Sequence, residues 1–527
     1  MKTTVKTEVL IVGAGPTGLS LAAQLIRYGV NFVLVDKKED VTNLSKALVV
    51  HARTLEIYDQ LGLAQTAVQN GTTVQNAVIL HGGSERATLD FGTFGGPLSP
   101  FPFALIFEQS KNERLMLDFV QNHGHTVQWE SDLRTIAQNA TGVQAIIETA
   151  NGQTQTIEAR YLIGCDGASS TTRHLLDLDF EGSTYPRIFF VADVDVPFDK
   201  PHDSLYASFE ANSFLMLFPM QGEKHWRLLG PLPQYEKALH SNPMQDVNVT
   251  FDDVADEIKA TIKQPLPIEK VHWFSTYKVH TRRAPSFRQQ RCFIAGDAAH
   301  VHTPAGGQGM NTGIQDGYNL AWKLAFVLKH GANDSLLDTY NTERVENAIH
   351  LLHTTDQFFD VAAGDTWYQR FFRDNLLPGL ARFAWRFDAA KEFVFPTLSQ
   401  IGSHYPNSSL SQHEGDNKFA VKAGDRMPYF VADGVGIYDR LRKPCFHLLH
   451  FTDQEPALPP SNAGQSFRDL LEVHSVPLVP HAAEQFGTQH PFSVLLRPDN
   501  YIGLLAPAIN ENDLTAYFGA LGIAPSQ

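Results

Sequence analysis

Cysteine is almost missing from this chain. Its 527 residues include only Cys165, Cys292 and Cys445, and no two stand in a CxxC spacing. Three thiols exclude a disulfide framework. Without CxxC, zinc ribbons, cysteine-ligated iron–sulfur clusters and thioredoxin-type redox chemistry are disfavoured. Each cysteine reads as a small buried hydrophobe, and a reducing cytoplasm fits so few thiols. No metal-ligand pattern stands out, so the expected metal content is none. Positive charge is also short: 42 Lys and Arg face 57 Asp and Glu, for a net charge of −15. That disfavours nucleic acid as a partner, since phosphate binding needs a basic surface. One uncharged and largely apolar stretch, Val9–Ile26, has eighteen residues. It carries Gly13, Gly15, Pro16 and Gly18 in its first half, and no small-residue cleavage site follows it. It therefore reads as strand, turn and helix, not as a membrane span or signal peptide. With 43% hydrophobic and 19% charged residues, the chain is globular, with length for three or four domains at roughly 150 residues each.

What is present begins with EVLIV at 8–12, an apolar run typical of a buried parallel strand. GAGPTG follows at 13–18, then the amphipathic LSLAAQLIRYG, then NFVLVD ending in Asp36. In such a unit Gly13 permits the tight turn. Gly15, followed by Pro16 and Thr17, lets the backbone approach a pyrophosphate. Gly18 allows close helix–strand packing. The helix N-terminus offers free N–H groups to the phosphates. Asp36, followed by Lys37, stands where a ribose-binding acid belongs. The motif indicates a dinucleotide site without choosing between NAD and FAD.

Two later segments choose. YLIGCDGASSTTRHLL at 161–176 carries D-G-x-x-S-x-x-R, from Asp166 and Gly167 to Ser170 and Arg173. In the alternative reading it is only a capped turn. RCFIAGDAAHVHTPAGGQGMNTGIQDGYNLAWKLAFVL at 291–328 delivers Gly296 and Asp297 to a strand end. A loop with Pro304, Gly306, Gly307 and Gly309 then opens a long helix near Met310 and Asn311. Asp297 is placed to accept from ribose or ribityl hydroxyls. The loop and helix end offer N–H groups to a group that becomes anionic, as a reduced flavin ring does.

In this order and spacing the three segments resemble the para-hydroxybenzoate hydroxylase-like FAD monooxygenases. The similarity takes in SKALVVHARTLEIYDQLGL at 45–63, Gln109, LLDTYNTERVENA at 336–348, AGDRMPYF at 423–430 and LLRPDNYIG at 495–503. The tail is similar to that of phenol hydroxylase and of aromatic and polyketide hydroxylases, which carry a C-terminal thioredoxin-like domain without redox cysteines. The resemblance implies an α/β fold: a Rossmann-type FAD-binding domain, an inserted antiparallel substrate-binding sheet and that last domain. It implies non-covalent FAD, with NADH or NADPH as co-substrate. It also implies hydroxylation of a small aromatic substrate by dioxygen through a flavin hydroperoxide. Many relatives have arginine where Lys46 stands, and lysine lacks the planar fork. Lys46 is assigned to the cofactor, with two alternatives for Arg53: serving in its place, or only pairing with Glu56 on its own helix.

The expected FAD domain is discontinuous: 1–72, 103–182 and 290–355. The substrate-binding sheet is expected from 73–102, with a hairpin of 73–82 and 86–92, and from 183–289. A helical segment at 356–405 holds Phe358, Phe359, Trp367, Tyr368, Phe371, Phe372, Phe383, Trp385 and Phe387, expected in the core or at a subunit contact such as a homodimer's. A polar linker at 406–426 leads to the last domain, 427–527.

No charged residue is singled out as a catalytic acid or base, because the cofactor performs the hard step. In SFLMLFP, Phe214, Met216 and Phe218 share one face and Leu215 and Leu217 the other. With Trp226 of the next strand, the first set is the expected substrate pocket. Competing readings are a flavin oxidase or halogenase, whose W-x-W-x-I-P signature is absent, and a FAD-bearing protein that sequesters an aromatic compound without turnover.

Overall fold

The computed structural model describes residues 3–210, 213–235, 248–303, 305–363, 379, 385, 388–413, 419–453 and 464–525. Five strands pair in parallel in the order Cys292–Ile294, Thr154–Gly164, Thr3–Val12, Phe32–Val35 and Val127–Gln128. Their apolar runs are buried on both faces, as in a helix-covered parallel sheet. Val9, Leu10 and Ile11 have no exposure at all. An antiparallel extension, Ser131–Gln138 and Val143–Thr149, joins along Thr154–Gly164.

Helix Pro16–Arg27 starts with proline, whose missing N–H costs nothing at a first turn, and carries Arg27 at its basic end. It packs against helix Gly309–Lys329, in which every residue from Met310 to Phe326 is buried. Thr17 lies under two glycines: a Cβ added at Gly296 or at Gly313 would stand 2.3 Å from its Oγ1.

A second sheet of eight strands runs His300–Val301, Lys270–Arg283, Glu181–Asp195, His225–Pro231, Ser213–Pro219, Ser204–Glu210, Asn76–His81 and Ser84–Asp90. The last two form an antiparallel hairpin. Helix Phe251–Ile262 covers one face of this sheet, where Leu215, Leu217, Trp226 and Leu228 make a core with Val254 and Ile258. That corrects one expectation. The antiparallel register sets Pro219 opposite Trp226 and Phe218 opposite Arg227. Trp226 therefore shares its face with Leu215 and Leu217, and lies away from Phe214, Met216 and Phe218.

A third sheet has the order Gln412–His413, Ile502–Ala506, Phe492–Leu496, Phe446–Thr452, Leu471–Pro477. It shares a core with the long helix, since Trp322 and Phe326 pack with Phe446, Leu495 and Phe518. The polar stretch 406–426 supplies its first strand and buries Ser408, whose hydroxyl donates to Glu343 at 2.6 Å. Trp385 stacks on Phe91 and Phe94. The side chains of the other eight residues of the aromatic cluster lie outside the described residues. No helix among the described residues is long and apolar enough to cross a membrane.

Candidate functional site

The three motifs, far apart in sequence, meet at the carboxyl ends of the parallel strands. At Gly13, with φ of +107°, a Cβ would stand 2.3 Å from the Cys165 carbonyl oxygen. At Gly18 a Cβ would stand 1.9 Å from the Gly13 carbonyl oxygen, so turn, helix and neighbouring strand close only without side chains. Gly15 is different: nothing lies within 4 Å of its missing Cβ. That leaves open backbone at the helix N-terminus, where a pyrophosphate would sit.

Several predicted residues are consumed within the chain. Asp36 is buried and accepts from the Ala14 N–H at 2.6 Å and the Lys38 N–H at 2.8 Å. Asp166 accepts from Ser170 Oγ and from the N–H and hydroxyl of Thr172, so it does cap the helix Thr171–Leu175. Gln109 clamps the Ala47 N–H and donates to Glu113. Arg53 is buried between Glu56, at 3.0 Å, and the Asp499 carbonyl, at 2.9 Å. The pairing with Glu56 is the role it has. Lys37 is exposed, and Pro304 lies outside the described residues.

Asp297 is not consumed. Among the described residues nothing hydrogen-bonds to it, and it is accessible. Desolvation raises its pKa, against the pull of His300 and Lys46. Lys46, exposed, is close enough to act on it.

The glycine loop is held by Asn311, which the sequence singles out, and by His51 and Asp316, which it does not. Gly306 and Gly307 have φ of +72° and +64°, the left-handed region that glycine adopts without strain. Buried Asn311 donates to the carbonyls of Gly307 and Val49 and accepts from the His51 N–H and Thr54 hydroxyl, all at 2.8–2.9 Å. His51 Nε2 stands 2.8 Å from the Gly306 carbonyl. Burial lowers the pKa of His51 to about 4, and does the same to His302. His302 Nε2 is buried without a partner among the described residues, and it stands 3.4 Å from where a Cβ of Gly309 would be. Behind the loop, Asp316 accepts from the Gly296 N–H, His300 Nε2 and Arg344 Nε at 2.6–2.8 Å. Burial works to raise Asp316, but Arg344 and His300 hold it below the ordinary carboxylate range. Arg173 ties the second motif to the third by donating to the Ala298 carbonyl at 3.1 Å. The members of this network lie in segments the sequence marks: His51 in 45–63, His300, Asn311 and Asp316 in 291–328, and Arg344 in 336–348.

The residues present thus fit a dinucleotide with a flavin end: open backbone at Gly15, an unconsumed Asp297 and an orphaned His302 nitrogen at the helix that Gly309 opens. Residues 6–355 match the family described as FAD binding domain. The chain belongs to this family. It is 32% identical to 12-dehydrotetracycline 5-monooxygenase/anhydrotetracycline 6-monooxygenase of Streptomyces rimosus, over 96% of this chain and 97% of that one. It is 29% identical to pentachlorophenol 4-monooxygenase of Sphingobium chlorophenolicum, over 96% and 95%. Among solved structures, an anhydrotetracycline hydroxylase from Streptomyces rimosus matches with a TM-score of 0.77 and 25% identity, covering 99% of this chain and 100% of that one. This flavoprotein is a FAD-dependent monooxygenase of the aromatic-hydroxylase type, consuming NAD(P)H and dioxygen.

The face of the eight-stranded sheet opposite helix Phe251–Ile262 carries Phe214 and Met216 beside Phe189, Val279 and Tyr277. Phe218 and Val49 both pack against the core of Leu48, Val74, Ile106 and Met220. Val49 lies 3.0 Å from where a Cβ of Gly307 would be, so the core on which Phe218 packs reaches the glycine loop. Met216 and Phe218 are half-buried. Arg227, beside Phe218, is locked in a bidentate pair with Asp193 at 2.7 and 2.8 Å.

Proposed function

We propose that this monooxygenase hydroxylates a fused-ring phenolic substrate of the polyketide kind, held between the face of Met216 and Phe218 and the loop 304–311. The observation that carries this is the apolar core on which Phe218 and Val49 both pack, with Val49 set against Gly307. The tetracycline-directed names of relatives agree with it. The cofactor set is Gly13, Gly15, Pro16, Thr17, Gly18, Lys46, Asp297, Gly306, Gly307, Gly309, Met310 and Asn311, with Asp36, Gln109 and Asp166 shaping the cradle. When bound, non-covalent FAD takes reducing equivalents from NADH or NADPH and passes one oxygen atom of dioxygen to the ring. The chain's residues do the rest. Gly15 and the helix start bind the phosphates, Asp297 accepts sugar-chain hydroxyls, and the loop N–H groups meet negative charge at the ring. His51 and His302, held neutral, shape the loop without adding charge. Phe218 and Met216 exclude water.

The division into FAD, substrate-sheet and last domains follows the three sheets. The order and directions of the last four strands of the third sheet support a thioredoxin-like unit, with Cys445 as its lone thiol. A homodimer and a cytoplasmic setting belong to the same reading.

The test is a panel of simple phenols and polyphenolic polyketides, scored for stimulated NAD(P)H oxidation and for products heavier by one oxygen. Stimulation by fused-ring phenols with a matching product is expected. Stimulation by single-ring phenols alone would overturn the substrate class. Binding without NAD(P)H consumption would favour sequestration.

A further inference from the structure

The strand Phe446–Thr452 and the edge strand Leu471–Pro477 run parallel, with His447 opposite Glu472. Residues two apart on a strand share a face. Cys445, His447, Glu472 and His474 therefore gather at one end of the pair. Cys445 Sγ, a His447 ring nitrogen and a Glu472 carboxylate oxygen lie within 4.8 Å of one another. His447 Nδ1 is 3.6 Å from Glu472 Oε2 and 3.1 Å from His474 Nε2.

The tautomer of His447 is fixed by its other side. Nε2 stands 3.0 Å from the Lys443 carbonyl, which only accepts. Nε2 therefore carries the hydrogen, and the Nδ1 lone pair points into the cluster, where His474 Nε2–H donates to it. A backbone carbonyl orienting an imidazole in this way is the arrangement behind metal-bound histidines. His447 is fully buried, Cys445 nearly so, and Glu472 opens the cluster to solvent.

We propose that Cys445, His447 and Glu472 form a binding site for a zinc-class divalent cation, with His474 or water in the fourth position. A thiolate with an imidazole selects such an ion over magnesium or calcium. On binding, the Cys445 thiol loses its proton to solvent, and the metal replaces the His474 hydrogen bond at Nδ1. The site adjoins the loop that joins the third sheet to the first helix. There Arg27 donates to the Arg442 carbonyl and Arg442 pairs with Asp59 at 2.8 Å. The ion pins that seam and takes no part in oxygen transfer. No metal was expected from the sequence because Cys-x-His and Glu-x-His are separated by a long stretch of chain. Only strand pairing makes them one site.

The test uses FAD-loaded protein freed of metal by a chelator and titrated with zinc against a chromophoric chelator. One zinc per chain and a raised melting temperature are expected. Both are lost in Cys445→Ser and in His447→Gln variants that keep FAD. Both persist in His272→Gln, which breaks the other ligand-like cluster, Asp195, His225 and His272. In the unaltered protein, cobalt(II) gives a thiolate-to-cobalt charge-transfer band in the difference spectrum. No stoichiometric zinc, zinc retained by both variants, zinc lost only from His272→Gln, or no cobalt band would each overturn the site.

Discussion

Asp297 and Asp36 are both acids at strand ends, and their surroundings separate them. Asp36 is spent on the Ala14 and Lys38 N–H groups, whereas Asp297 is left for a ligand. A charged hydrogen bond of this kind is worth about 1.5–3 kcal/mol, or roughly ten- to over a hundred-fold in affinity. Asp297→Ala is expected to weaken FAD retention by that factor, with the apoprotein melting temperature kept. Asp36→Ala is expected to lower the melting temperature and to cost less FAD. Equilibrium FAD titration with thermal unfolding of both variants checks the ranking, and equal retention would refute it. His51 and His302 set a pH dependence. Burial lowers both from 6.5 to about 4. Between those values the unfolded chain binds more protons than the folded one, so stability rises with pH and falls as pH drops through the window. Each pK unit is worth about 1.4 kcal/mol. Released-flavin fluorescence is expected to increase as the holoenzyme is taken from pH 6.5 toward 4, and His51→Asn should flatten that response.

At the scale of elements, the helix Gly309–Lys329 carries a polar stripe, Asn311, Gln315, Asn319 and Lys323, at four-residue spacing inside a buried element. Buried polar groups cost free energy unless paired, and each of these residues has a partner, although Gln315 Oε1 has none among the described residues. Gln315 donates to Gln400 at 2.7 Å, and Asn319 and Lys323 donate to Glu343 at 2.6 and 2.7 Å. Asn311→Leu strands the His51 N–H and two carbonyls, at about 1–3 kcal/mol for each buried group. It should lower the urea midpoint and the FAD content together, while Met310→Leu, a volume-conserving change, should cost under about 1.5 kcal/mol. On the sheet, Phe218→Ala should weaken substrate binding and release hydrogen peroxide in place of product. The measurement is NAD(P)H consumed, product and peroxide in one assay. Wild-type coupling in both Phe218→Ala and Met216→Ala would place the pocket elsewhere.

At the scale of the molecule, the third sheet is not a loose appendage. Arg497 reaches Glu343 with two bonds, at 2.7 and 3.0 Å, and Asp499 with 2.6 Å, all fully buried. Asp499 also accepts from Trp322 Nε1 at 3.0 Å. Glu343 lies in the helix Asp338–Ala363, Trp322 in the central helix and Arg497 just after a sheet strand. One ionic cluster therefore joins three elements. Arg497→Met removes the guanidinium shared by Glu343 and Asp499, leaving Glu343 with Lys323 and Asp499 with, among the described residues, only the neutral Trp322 Nε1–H, a loss of about 3–5 kcal/mol. Thermal unfolding should drop accordingly and remain a single transition; two separated transitions would mean that the sheet unfolds independently.

The three glycine-centred motifs were legible in the sequence because each is local: a few residues of fixed spacing force a turn that only glycine can make. They pointed to the Rossmann-type fold and to FAD, and they marked Gly13, Gly15, Gly18, Gly296 and Asp297 as candidate cofactor residues. The strand alternation of SFLMLFP also separated Leu215 and Leu217 from Met216 and Phe218 correctly. What the sequence did not decide were relations across strands and between distant elements. Trp226 changed faces because an antiparallel register is a property of two strands, and one residue of slip reverses every side chain. Arg53 has the shape of a phosphate ligand and is instead half of an ion pair with Glu56. Asp316, His51 and Asn311 hold the glycine loop through partners tens to hundreds of residues away. Cys445 and Glu472 become neighbours only when two parallel strands pair. Local geometry is written in spacing, whereas the partner of a buried charge is chosen by the packing that removes it from water.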